Sequence, residues 1–294
     1  MPLCSGSMTS LKLGLTASIE DVVPRDVARA LEEDVGAGDL TADLIDPARG
    51  ALARIVARES AVICGAPWVD ETLRRLDPRV RVAWRVGEGG RCEADQVVAE
   101  IDGQARALLS AERTALNFLQ LLSGVATRTA TYVEAVRGTR ACIVDTRKTL
   151  PGLRLAQKYA VRVGGGVNHR VGLYDAVLIK ENHIAAAGGV APVLQAAARV
   201  ASRAAFVEIE VERLDQLAEA LAAGATMVLL DNMDLATLRE AVRLNAGRAI
   251  LEISGGVTLD SVRALAETGV DRISIGSLTK DVKAIDFSMR FEAL

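Results

Sequence analysis

The chain is poor in aromatic side chains: Phe, Trp and Tyr together make up 3% of it. That excludes a stacking platform for single-stranded nucleic acid, which needs rows of exposed rings. A positive balance is missing too. The formal net charge is -3, so nothing draws the chain generally to DNA or to an anionic membrane. No apolar run approaches the roughly 20 residues that a bilayer-crossing helix needs. The opening MPLCSGSMTSLKLGLTAS lacks a basic start followed by a sustained apolar core, so no secretory leader is expected. Cys4, Cys64, Cys92 and Cys142 stand far apart with no C-x-x-C pair and read as buried thiols of a reducing compartment. The expected location is cytoplasmic.

What is present, in 294 residues of which 50% are apolar, suffices for one large domain or two ordinary ones. Residues up to about Thr16 carry no pattern and read as a loose tail. Pro24 is expected to open a helix with Val27, Ala30 and Leu31 on one face, stopped by the acidic, glycine-containing turn 33–39. Alternation predicts strands over 51–58, 80–86 and 96–101, which suggests an α+β domain to about residue 110. A long helical stretch follows over 108–136, with a stripe of Leu116, Leu119, Leu122, Val125 and Ala126. Gly124 is expected to weaken or break its middle. Arg113 lies near its start, off that stripe.

The rhythm then changes to strict alternation of strand and helix. Strands are predicted over 141–144, 175–179, 206–211, 227–230, 249–253 and 272–275, with helices such as 214–222 and 259–267 between them. Such alternation means right-handed crossovers and a parallel sheet. The strands close on Asp145, Lys180, Glu210, Asp231, Ser254 and Gly276. Polar residues at every strand end favour a barrel, with ligands around one rim, over a doubly wound sheet with one crevice. Six strands fall short of eight, so either some are missed or the barrel is incomplete.

The stretch from Ala141 to His183 carries the strongest chemistry. Between Arg113 and Lys180 there are eleven basic residues against three acidic ones. Arg147 and Lys148 directly follow one strand, Lys180 ends another, and Asn168-His169-Arg170 lies between. Arginine suits bidentate grip of a carboxylate, lysine supplies a compact charge, and histidine can donate a hydrogen bond or a proton. A ligand with more than one negative charge is implied. Glu210 and Asp231 end consecutive strands and suit magnesium, which keeps water and binds through substrate phosphates. Glu208 shares the alternation of Glu210 and competes with it. The loops Ser254-Gly255-Gly256 and Gly276-Ser277 follow the last two strands, the usual phosphate position of a barrel. The triplet Gly164 to Gly166 follows a helix and is no dinucleotide fingerprint. His183 and Asn182 either orient Lys180 or cap the next helix. A polyanionic acceptor, a metal and a phosphate-bearing partner together fit phosphoribosyl transfer.

These segments closely resemble the quinolinate phosphoribosyltransferase family along nearly the whole chain. The matching pieces are GDLT (38–41), ERTALN (112–117), DTRKT (145–149), KYAVR (158–162), GGGVNHR (164–170), LIKENH (178–183), 208–212, LDNM (230–233), SGG (254–256) and IGS (275–277). The resemblance implies that quinolinate and phosphoribosyl diphosphate give nicotinate mononucleotide, diphosphate and carbon dioxide, with Mg2+, on the de novo route to NAD. It implies that Arg147, Lys148, His169, Arg170 and Lys180 hold quinolinate, with Arg113 contributed across the interface of a homodimer or higher oligomer. Lys148, Lys180, Glu210 and Asp231 would be catalytic, and Glu210 and Asp231 would hold the metal. Ser254, Gly255, Gly256, Gly276 and Ser277 would bind the 5-phosphate. The implied fold is an incomplete α/β (TIM-like) barrel over 121–280 plus an N-terminal α/β sandwich domain over 17–120, rejoined by 281–294 after a loose tail, 1–16. Neither nucleic acid nor a membrane is an expected partner. Leu150 stands where the family leads one to expect Thr, and Gln157 where it leads one to expect Glu. A related phosphoribosyltransferase or paralogue of the same fold, a Schiff-base aldolase on Lys180, and a non-catalytic binding protein are the rivals.

Overall fold

A computed structural model describes residues 12–13 and 17–292. The expected tail lies outside these residues except for Lys12–Leu13, which pairs antiparallel with Ala17–Ser18. In chain order the longer strands are β1 (Gly50–Ala57), β2 (Arg81–Trp84), β3 (Val97–Gln104), β4 (Cys142–Val144), β5 (Val177–Ile179), β6 (Val207–Val211), β7 (Met227–Asp231), β8 (Ile250–Ser254), β9 (Arg272–Ser274) and β10 (Phe287–Phe291). The helices used below are α1 (Ile19–Asp34), α2 (Ala66–Leu76), α3 (Ala105–Ala135), α4 (Arg154–Val163), α5 (Glu181–Ala187) and the short α6 (Ser277–Lys280). Among the described residues no helix is long and apolar enough to cross a membrane.

The chain forms two compact units. One comprises 131–149 and 166–277; the other comprises the described residues up to 130 together with 150–165 and 278–292. In the second unit β1, β2, β3 and β10 form an antiparallel sheet in the order β10-β1-β3-β2. Ile55, Val98, Ile101 and Phe287 from that sheet pack with Leu108, Leu116 and Leu119 of α3 in one apolar core. The chain's last strand thus completes a sheet begun near its start.

Two sequence expectations fail here for physical reasons. Helix α1 does not begin at Pro24 but at Ile19, because Asp21 accepts hydrogen bonds from both the Ser18 N–H and its hydroxyl and so fixes the first turn. Pro24 lies inside that helix. Nor does Gly124 interrupt α3, which runs unbroken for 31 residues. A Cβ on Gly124 would overlap the carbonyl of Lys283, so glycine serves close backbone approach there.

The other unit holds a six-stranded parallel sheet in the order β4-β9-β8-β7-β6-β5. All six strands are those read from the alternation. The two edge strands do not pair with one another, so this α/β barrel is incomplete and none of its strands was missed. Its register sets Asp231 beside Ser254 at the ends of β7 and β8. Cys64 and Cys92 are buried free thiols as expected. Cys142, on β4, is disulfide-bonded and so is not the free thiol expected; Cys4 lies outside the described residues.

Candidate active site

Parallel strands end together, so the polar residues that close them share one rim. At the end of β4, Asp145 is fully buried, and its carboxylate turns back to the N-H-R segment. Oδ2 accepts from Asn168 Nδ2 at 2.6 Å and Oδ1 from the His169 main-chain N–H at 2.8 Å. Asp145 is therefore an anchor. Two residues on, Arg147 is partly buried and Lys148 exposed. The Lys148 side chain lies over Gly276: a Cβ there would come within 2.9 Å of Lys148 Cδ. Glycine at that strand end leaves the lysine its path.

Arg170 sits partly buried close to Arg147. Burial first, then the neighbouring Arg147 charge, lower the Arg170 pKa, while Asp175 and Glu208 oppose the shift. Two neighbouring guanidinium groups have the geometry to grip an anion with two charges. Asp175 shapes the same loop by accepting the main-chain N–H groups of Val171 and Gly172 at 2.7 and 2.9 Å.

On the opposite edge of the sheet Lys180 follows β5, and its Nζ pairs with Glu210 Oε2 at 3.2 Å. His183 accepts the Lys180 main-chain N–H on Nδ1 at 2.9 Å, so of the two roles left open it caps α5 and thereby fixes the lysine's backbone. Burial raises the Glu210 pKa; Lys180 opposes this and the charge of Asp231 adds to it. After β8 and β9 come the small-residue loops. Gly255 and Gly256 have φ of 103° and 59°, a left-handed backbone that favours glycine. A Cβ on Gly255 would stand 3.6 Å from Asp231 Oδ1, so this loop runs beside the carboxylate. Gly276 and Ser277 lead into α6.

Arg113 belongs to the other unit, where it is exposed on α3. His169 is held from two sides. Its ring is buried, with Nε2 at 2.8 Å from Glu208 Oε2 and Nδ1 accepting the Arg170 N–H at 2.8 Å. Both ring nitrogens are therefore engaged within the protein. Beneath it lies a group that sequence reasoning missed. Glu252 pairs with Arg272 at 2.7 Å and accepts from Ser274, and Glu208 and Glu252 are fully buried. Burial raises Glu208 to about 7, against the nearby charges of Arg272 and Arg170. Its sequence signal is a glutamate inside each of two apolar strands, Glu208 and Glu252.

The fold and these strand ends define an α/β-barrel protein with cations and carboxylates gathered on the rim. Family models agree along nearly the whole chain: "Quinolinate phosphoribosyl transferase, N-terminal domain" matches residues 39–123 and the corresponding "C-terminal domain" matches 125–290. The chain belongs to the quinolinate phosphoribosyltransferase family. It is 44% identical to the nicotinate-nucleotide pyrophosphorylase [carboxylating] of Mycobacterium leprae, over 92% of this chain and 97% of that one. It is also 44% identical to a probable enzyme of the same name from Bacillus subtilis, covering 87% and 89%. The solved nicotinate-nucleotide pyrophosphorylase of Francisella tularensis superposes with a TM-score of 0.90 at 42% identity, covering 95% of this chain and 99% of that one.

Proposed function

We propose that the protein transfers the phosphoribosyl group of phosphoribosyl diphosphate to quinolinate, releasing diphosphate and carbon dioxide and leaving nicotinate mononucleotide. The observation that carries this reading is the neighbouring pair Arg147 and Arg170, two guanidinium groups able to grip two carboxylates. Quinolinate brings two adjacent carboxylates, which these arginines grip, while Lys148 and Lys180 complete the positive pocket. The loops at Ser254-Gly255-Gly256 and Gly276-Ser277 take the 5-phosphate through their main-chain amides.

The ring nitrogen of quinolinate attacks C1 of the ribose and the bond to diphosphate breaks, with the electron pair leaving on the diphosphate oxygen. Positive charge that builds on the ribose during this step is stabilised by Glu210 and Asp231. Loss of the carboxylate next to the ring nitrogen leaves an electron pair on carbon, which the cationic nitrogen stabilises until a proton replaces it. Catalysis is positioning and electrostatics, with no covalent intermediate. Glu210 and Asp231 are oxygen donors whose charges act on each other, and that donor set fits Mg2+ with open positions. Held by Glu210 and Asp231, the ion would supply positive charge to offset that of the diphosphate.

The Schiff-base rival needs a desolvated lysine. Lys180 is exposed and ion-paired instead. The exposed Arg113 is read as the residue that one subunit of a homodimer lends to its partner, and the enzyme as cytoplasmic. Mixing inactive Arg113→Ala with inactive Lys148→Ala protein should therefore restore part of the activity. Verified heterodimers without recovery would remove the shared site. For the reaction itself, nicotinate in place of quinolinate should support no turnover; equal rates with both acids would contradict the two-carboxylate reading.

A further inference from the structure

The hydrogen-bonding capacity of the His169 ring is spent within the protein. Nδ1 accepts the Arg170 main-chain N–H, so it holds a lone pair, and the neutral ring carries its proton on Nε2. That proton faces Glu208 Oε2 at 2.8 Å, with Glu252 Oε1 further off at 3.6 Å. The ligand atoms of His169, Glu208 and Glu252 lie within 4.8 Å of one another, as metal ligands would. The tautomer argues against a metal, because a protonated Nε2 has no lone pair to give. Arg272, moreover, already neutralises Glu252.

We propose that Glu208 is a positioning residue for the acceptor: through the His169 ring it fixes the main chain of Arg170. This rests on the reading that Arg170 grips a carboxylate of quinolinate. The contacts form a short relay. Glu208 on β6 takes the ring, the ring takes the Arg170 N–H, and Arg170 Nη1 reaches the Ala176 carbonyl at 3.3 Å. Asp145, directly after β4, holds the other side of the loop through the His169 N–H. The segment bearing the arginine is thus strung between two barrel strands. Glu208 is 0% exposed, and among the described residues its Oε1 has no hydrogen-bond partner. A carboxylate buried at that cost is placed for the bond it does make.

The chain has two histidines, so ¹⁵N spectra resolve His169 readily once His183 is assigned by substitution. The spectrum should show His169 protonated on Nε2, before and after quinolinate is added. Glu208→Leu should raise the quinolinate KM about tenfold, the loss of one buried hydrogen bond, with the KM for phosphoribosyl diphosphate unchanged. Glu208→Gln, whose amide oxygen still accepts from Nε2–H, should stay within about twofold of the wild type. An Nδ1-protonated ring overturns the proposal, as does a Glu208→Leu enzyme with the wild-type quinolinate KM. If the leucine variant does not fold, the wild-type spectrum and the glutamine variant decide. Absence of turnover in the wild type would sink the functional reading instead, while the tautomer would still be measured.

Discussion

Lys180 Nζ lies 3.2 Å from Glu210 Oε2, so a cation closing one barrel strand is held by an anion closing the next. The pair does two things: it keeps the ammonium at the rim, and it offsets the crowding of Glu210 by Asp231. Lys180→Met should lower kcat/KM by about a hundredfold, the scale of removing one preorganised electrostatic contact. Thermal stability should change little, because the lysine is exposed. Activity within a fewfold of wild type would show that the lysine is only a surface cation.

Gly276 gives a test that leaves every charge in place. Its φ is not positive, so alanine adds no backbone strain, but the new methyl would meet Lys148 Cδ. Gly276→Ala should therefore displace the lysine. The expected result is a loss of about tenfold in kcat/KM with the melting temperature unchanged. A variant that loses stability and keeps its activity would mean that Lys148 lies idle over the glycine.

Gln157, a departure from the family pattern, has a definite structural role. It is fully buried; Nε2 donates to the Thr279 carbonyl and Oε1 accepts the Leu150 N–H, both at 2.8 Å. A glutamate could make both bonds only when protonated. Gln157→Glu should be destabilised by about 1–3 kcal/mol at neutral pH, the cost of an unsatisfied buried polar group, and by less in acid. Urea midpoints compared at mildly acidic and alkaline pH check the sign. A variant that is more stable at alkaline pH would refute this assignment.

Glu88 should give the native enzyme a pH dependence of stability. Its carboxylate accepts the N–H groups of Gly65 and Ala66 at the start of α2, both at 2.9 Å. Burial nevertheless outweighs those bonds and raises its pKa above the ordinary 4.5. A raised folded-state value means that the native state holds the proton more tightly. The contribution is therefore present below the ordinary value and is lost as pH rises through the folded one. Relative to Glu88→Gln, the wild type should lose stability as pH climbs from about 4.5 upward. A wild type that gains on the variant over that range would reverse the assigned cause.

Much of this molecule was legible in its sequence because the physics there is local. Strand-helix alternation places all six barrel strands, and polar residues after apolar runs mark Arg147, Lys180, Glu210 and Asp231. Less legible was whatever depends on partners distant in the chain. The start of α1 depended on Ser18 and Asp21, which outrank Pro24. The reason for a glycine inside unbroken α3 lies with Lys283, which only the folded chain brings to Gly124. The group formed by Glu208, Glu252, Arg272 and Ser274 was hidden because strand alternation shows that a carboxylate faces inward, not what it meets there.

On the proposed function, the rim binds a doubly charged pyridine beside a pyrophosphorylated pentose and joins them with loss of carbon dioxide. Quinolinate labelled in the carboxylate next to its ring nitrogen tests this directly. Labelled carbon dioxide should appear only when phosphoribosyl diphosphate and Mg2+ are both present, in step with nicotinate mononucleotide. Release without the diphosphate sugar, or no release with all three, would contradict it.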